Sequence, residues 1–200
     1  MNYRHVILEG KPTTGKTEVS ELFKIYFPSK VKILPELTTI LVRQNQLNIL
    51  RDRKQLNDLL AEAVPARAAA VKALLEDPGV LVFEESHMGV HWAYSKILDD
   101  QYFLDLYEEK IKQSMLFPDI FMRLDIPIAL SVQRQVARAT KDVEVSGDIV
   151  RNMFKQLNAW HQNHGRDNLV VVNTNRSPAI VIGDIMKILG LTYQVFKGKR

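Results

Sequence analysis

The stretch "LEGKPTTGKTEVS", residues 8–20, decides the fold. Gly10, Lys11, Pro12, Thr13, Thr14, Gly15, Lys16 and Thr17 satisfy the spacing G-x-x-x-x-G-K-[ST] in full. Glycine at both ends allows a wide turn whose backbone N–H groups converge on phosphate oxygens, and a helix leaving the turn adds the positive end of its dipole. In that geometry Gly10, Thr13, Thr14 and Gly15 cradle the phosphates of a bound nucleotide. Lys16 reaches the β- and γ-phosphates, and Thr17 offers its hydroxyl to Mg²⁺. The flanks agree: "HVILE" (5–9) reads as a strand feeding the loop and "KTEVSELFKIYF" (16–27) as the helix leaving it. Pro12 removes one N–H that would otherwise help line the turn.

Outward from the loop, short apolar runs alternate with longer amphipathic stretches, which predicts an α/β domain with a mainly parallel sheet. Five runs read as strands: "HVILE", "VKILP" (31–35), "VLVFE" (80–84), "IFMRLD" (120–125) and "LVVVN" (169–173). Helical spacing falls at 16–27, 37–49, 54–76, 89–115 with a break near 99, 128–139, 148–164 and 177–189. Pro65 is expected to kink the third of these or mark its restart. His161 and His164 fall in the last turn of a helix, with Gly165 free to terminate it. No linker divides the sequence, so one domain over 1–200 is expected.

The composition excludes several function classes. With 200 residues, 46% hydrophobic and 25% charged, the chain has the balance of a globular protein with one good core. No apolar run approaches the roughly 20 residues that span a bilayer, and "MNYRHVILEG" lacks a signal-peptide pattern, so a cytoplasmic protein without membrane partners is expected. The absence of cysteine rules out disulfides, thiolate metal sites and cysteine nucleophiles. A net charge of +4 with one short basic tail, "KGKR" (197–200), favours anionic small ligands over a nucleic-acid surface.

A phosphate loop this early admits a small-molecule kinase, a GTPase switch or an ATPase module. No guanine-reading N-K-x-D string is present, which disfavours the switch. Several stretches resemble the thymidylate kinases and deoxynucleoside kinases. "VILEGKPTTGKT" is similar to their opening, "LPELTT" to the segment after their second strand, and "FEESHMGVHWAY" to their F-E-R-S segment. "LDIPIALSVQRQVARATKDVE" resembles their strand and arginine-rich lid helix, and "FKQLNAWHQNHG" with "NLVVVNTNRSP" their last long helix and strand. The resemblance covers most of the chain in order. It implies a P-loop kinase-like three-layer fold with a short helical lid at about 134–147, ATP and Mg²⁺ as phosphoryl donor and metal, and, as in related kinases, a homodimer.

It also assigns roles. Glu36 is the base on the acceptor hydroxyl, Arg134 and Arg138 are lid cations acting with Lys16, and Arg67 matches an acceptor-binding arginine. Glu84 and Glu85 close the third strand, one for the magnesium shell beside Thr17, a role given to Glu84, and the other for the acceptor. One departure stands out, because the arginine that follows the family's acid is replaced by Glu85 or Ser86, depending on register. Since an acidic site tolerates a neutral acceptor better than a dianion, a hydroxyl compound such as a nucleoside is preferred to a nucleoside monophosphate. A nucleotide-binding protein without efficient transfer is the competing class. His87 and His91 stand four apart, the spacing of a metal pair on a helix, but His91 reads better as a packing residue beside Trp92.

Overall fold

In a computed structural model, residues 3–137, 146–164 and 167–192 are described. Five strands, β1 (His5–Gly10), β2 (Val31–Leu34), β3 (Leu81–Glu85), β4 (Ile120–Asp125) and β5 (Leu169–Asn173), form one sheet in the order β2-β3-β1-β4-β5. All four pairings are parallel. Central strands of such sheets are covered on both faces, and β1, β3 and β4 are accordingly almost wholly buried.

Strand alternation divides the core. Val6, Leu8, Phe83, Met122 and Leu124 point to one face, where Val19 and Phe23 of α1 (Lys16–Tyr26) and Ile182 and Ile185 of α9 (Pro178–Leu189) cover them. Ile7 and Phe121 point to the other. There they meet Leu56 and Leu60 of α3 (Arg53–Leu75), Trp92 of α4 (Met88–Ile97) and Trp160 of α8 (Gly147–Asn163). Burial of these large side chains, at about 1.5–3 kcal/mol each, is the main force holding the three layers together.

The remaining helices fit the sequence reading with local differences. α2 (Leu37–Gln44) stops five residues short of the expected end, where Gln46 takes φ +54°. α3 runs through Pro65 without interruption; Pro65 lies on the exposed side, where water can take the carbonyl its missing N–H leaves. The expected break near 99 is real: Asp99 has φ +50°, and Asp100 caps α5 (Gln101–Leu106) by accepting from Phe103 N at 3.2 Å. A π-helical stretch, Tyr107–Ile111, and α6 (Lys112–Ser114) complete that segment. α7 (Ile128–Ala137) carries Arg134, whereas Arg138 and most of the expected lid lie outside the described residues. No described helix is long and apolar enough to cross a membrane.

Candidate active site

The site lies at the carboxyl edge of the sheet, where β1 is flanked by strands reached through opposite crossovers, the usual ligand position in open parallel sheets. β1 delivers Gly10 with φ +153°; a Cβ there would lie 2.4 Å from Leu124 O, so only glycine lets the loop leave this close to β4. Thr13 (φ +62°) and Gly15 (φ +91°) turn the backbone into α1. α7 fastens the loop from the side. Ser131 Oγ donates to Pro12 O at 2.7 Å, Thr13 Oγ1 to Ser131 O at 3.1 Å, and Arg134 Nη1 to Thr13 O at 3.3 Å. Lys16 Nζ donates to Gly10 O at 3.3 Å and Lys11 O at 3.2 Å, which holds its charge over the same turn. Asp125, the last residue of β4, forms an ion pair with Lys11 Nζ.

The two glutamates at the end of β3 diverge because successive strand residues face opposite sides. Glu85, registered with Leu8, turns toward α1: it accepts from Thr17 Oγ1 at 3.2 Å and from Ser20 Oγ. Glu84, registered with Ile7, turns toward α3, where it meets His5 Nε2 at 2.6 Å and Arg67 Nη1 at 3.6 Å. The structure therefore gives Glu84 partners away from the phosphate loop, and the carboxylate beside Thr17, the place expected for the metal, is Glu85. Arg67 also donates to Pro35 O at 2.8 Å, and Glu36, at the start of α2, accepts from Thr39 Oγ1 at 2.8 Å. A cleft of about 940 Å³ runs from the loop past Glu36, Arg67 and Glu84 to Leu98 and Leu116. Tyr94 in its wall has its phenol pushed up to about 12, first by burial and then by the charge of Glu36.

Beneath the loop sits a buried network that the sequence reading missed. Glu9, fully buried, accepts from Arg123 Nε at 2.6 Å, His87 Nε2 at 2.8 Å and His161 Nε2 at 2.9 Å. Burial alone would raise the Glu9 carboxyl, but hydrogen bonds from His161 and His87 and the charge of Arg123 hold it well below the usual carboxylate range. Glu9, His87 and His161 place three potential ligand atoms within 4.8 Å of one another. However, Gly89 N donates to His87 Nδ1 at 3.0 Å, which puts the proton of the neutral imidazole on Nε2, where it serves Glu9. The lone pair a metal needs is thereby used up, and Arg123 already balances the carboxylate. The arrangement is a hydrogen-bonded clamp one residue before the phosphate loop. His91 takes no part in it, bonding Asn57 instead.

No protein-family model and no curated protein sequence matches the chain. Solved structures of deoxyadenosine kinase from M. mycoides do match, over 92% of this chain and 98% of theirs. The form with bound dCTP gives 15% identity and a TM-score of 0.66, the form with products dCMP and a flexible dCDP 14% and 0.67, and the form with bound dATP 13% and 0.69. The chain has a P-loop nucleoside-kinase-like fold.

The carboxylate on the phosphate-loop side is Glu85, and Ser86 follows it directly. Its backbone has φ +65°, and its N donates to Leu8 O at 2.8 Å. The structure brings Lys16, Thr17, Arg134 and Glu85 together at the loop, and Glu36, Arg67 and Glu84 along the adjoining cleft.

Burial also sets the acid sensitivity of the protein. It holds His87 below its ordinary 6.5 and lowers His91 to about 4. The unfolded chain takes up these protons first, so stability falls as pH drops from 6.5 toward 4; the Glu9 contribution, present above 4.5, is lost below it. Melting temperatures recorded between about pH 7 and pH 4 are expected to fall steadily; a flat profile would contradict buried neutral histidines.

Proposed function

We propose that the chain is a kinase that moves the γ-phosphoryl group of ATP, with Mg²⁺, to the hydroxyl of a nucleoside or related small alcohol. The observation that carries this reading is the meeting of Thr17 and Glu85 at 3.2 Å beside Lys16, in a cleft that Glu36 also lines. The dATP, dCTP and dCMP bound by the structurally similar deoxyadenosine kinase support a nucleotide donor and a nucleoside-type acceptor.

A hydroxyl and a carboxylate side by side are the hard oxygen donors that suit Mg²⁺. The metal supplies neutralisation of phosphate charge when bound. Lys16 and Arg134 add positive charge where it builds on the transferring group, and the backbone N–H groups of Gly15 and Lys16 face it from the start of α1. Glu36 takes the acceptor proton as its oxygen forms the bond to Pγ and the bond from Pγ to the bridging oxygen breaks, releasing ADP. Arg67, half neutralised by Glu84, orients the acceptor. Because Glu36 and Glu84 line the cleft and no arginine stands at Glu85 or Ser86, an uncharged hydroxyl compound fits better than a monophosphate dianion.

ADP release is the test, measured with Mg-ATP against nucleosides, nucleoside monophosphates and sugar-like alcohols. One class of acceptor is expected to stimulate turnover, and Lys16→Ala is expected to lower kcat by about 10²–10³-fold with Tm changed by no more than about 4 °C. ATP binding with no acceptor able to stimulate turnover would instead mark a nucleotide-binding module.

A further inference from the structure

Beside the cleft, four polar residues form a chain whose hydrogen-bond directions are forced. Asp100 accepts from Phe103 N through Oδ1 and from Asn57 Nδ2 at 3.0 Å through Oδ2, with Arg53 Nε 3.7 Å from the same oxygen. A carboxylate only accepts, so Asn57 must turn its amide nitrogen to Asp100 and its Oδ1 to His91. Asn57 Oδ1, on a fully buried residue, then needs a donor, and His91 Nε2 at 3.1 Å is that donor. The ring packs edge-on against Phe103 with centroids 4.5 Å apart, which fixes its plane.

His91 Nδ1 has no hydrogen-bond partner among the described residues. The sealed side-chain atoms without a partner among those residues are Arg123 Nη2, His161 Nδ1 and Asn168 Oδ1. His91 Nδ1 is not one of them, so it keeps some exposed surface, and His91 lines the cleft. Burial keeps the imidazole neutral near pH 7, and its one proton is committed to Asn57. We read this as a lone pair offered to the cleft, whose lining also includes Leu56, Val90 and Leu98.

We propose that His91 is a specificity-determining residue that presents its Nδ1 lone pair to an N–H donor on the flat, apolar part of the acceptor. The inference rests on the kinase reading above and narrows its substrate class: acceptors with an exocyclic amine on a ring are taken, and those with a carbonyl oxygen at that point are refused, because two lone pairs would face each other in a dry wall.

The test uses two pairs of nucleosides that differ in an amino group against a carbonyl oxygen, adenosine against inosine and cytidine against uridine. For the native protein, kcat/KM is expected to favour the amino member of at least one pair by about tenfold or more. His91→Phe keeps the ring packing and is expected to bring that ratio toward one, mainly through KM. His91→Gln, whose amide can donate to Asn57 and still offer an oxygen, is expected to restore part of it. A folded His91→Phe protein with an unchanged ratio, or a native preference for the carbonyl members, overturns the inference and leaves the kinase reading standing. If none of the four is phosphorylated, equilibrium binding of the same nucleosides decides. Amino-over-carbonyl binding that His91→Phe abolishes supports the assignment, and equal or absent binding overturns it.

Discussion

Glu36→Gln is expected to lower kcat for phosphoryl transfer by about 10²–10⁴-fold, the usual contribution of a positioned general base, while leaving ATP affinity within about twofold of native. Glutamine is isosteric and keeps an oxygen for Thr39 Oγ1, which now donates at 2.8 Å, so the start of α2 should hold its shape. What disappears is the charge that accepts the hydroxyl proton. On the proposed reading ATP affinity is spared, because the phosphates would sit on the loop Gly10–Thr17 that α7 fastens. Tyr94 supplies an internal check: the Glu36 charge helps raise its phenol toward 12, so its ultraviolet titration should move down in the variant. A Glu36→Gln enzyme retaining more than about a tenth of native kcat would remove Glu36 from the chemistry.

The second large effect concerns stability. Glu9→Leu leaves the buried guanidinium of Arg123 facing an apolar side chain and strips the Nε2–H groups of His87 and His161 of their acceptor. Removing one partner of a buried ion pair costs about 3–5 kcal/mol, whereas replacing both partners by apolar groups is often close to neutral. Urea unfolding of Glu9→Leu is expected to show that loss, and the double variant Glu9→Leu/Arg123→Met to recover most of it. A loss below about 1 kcal/mol in the single variant would show that the clamp holds nothing. Because Glu9 precedes Gly10 directly, the single variant should also weaken ATP binding, by disturbing the entry of the loop.

Much of the fold was legible because the information is local. Apolar runs at 5–9, 80–84 and 120–125 became the central strands β1, β3 and β4 almost residue for residue, since a strand covered on both faces tolerates little else. The phosphate loop announced itself by spacing alone. Glu84 and Glu85 show where such reading stops: adjacent acids at a strand end face opposite sides, and which one meets Thr17 depends on the register of β3 on β1, Glu85 with Leu8. The clamp was less legible still. Glu9 draws its partners from 78, 114 and 152 positions away, and His161, whose sequence position marks only a helix end, is buried against it. Asn57, in the middle of an amphipathic helix, gave no sign that it would orient His91, because the reason lies in Asp100 at the cap of another helix.

The most direct test of the central claim follows the phosphoryl group itself. With γ-labelled ATP, Mg²⁺ and the acceptor that best stimulates turnover, label is expected on the acceptor, one equivalent for each ADP formed, and neither product is expected to accumulate with Lys16→Ala. Label appearing only as inorganic phosphate, or remaining on ATP for every acceptor, would contradict the account and leave a phosphate loop that binds nucleotide without transferring it.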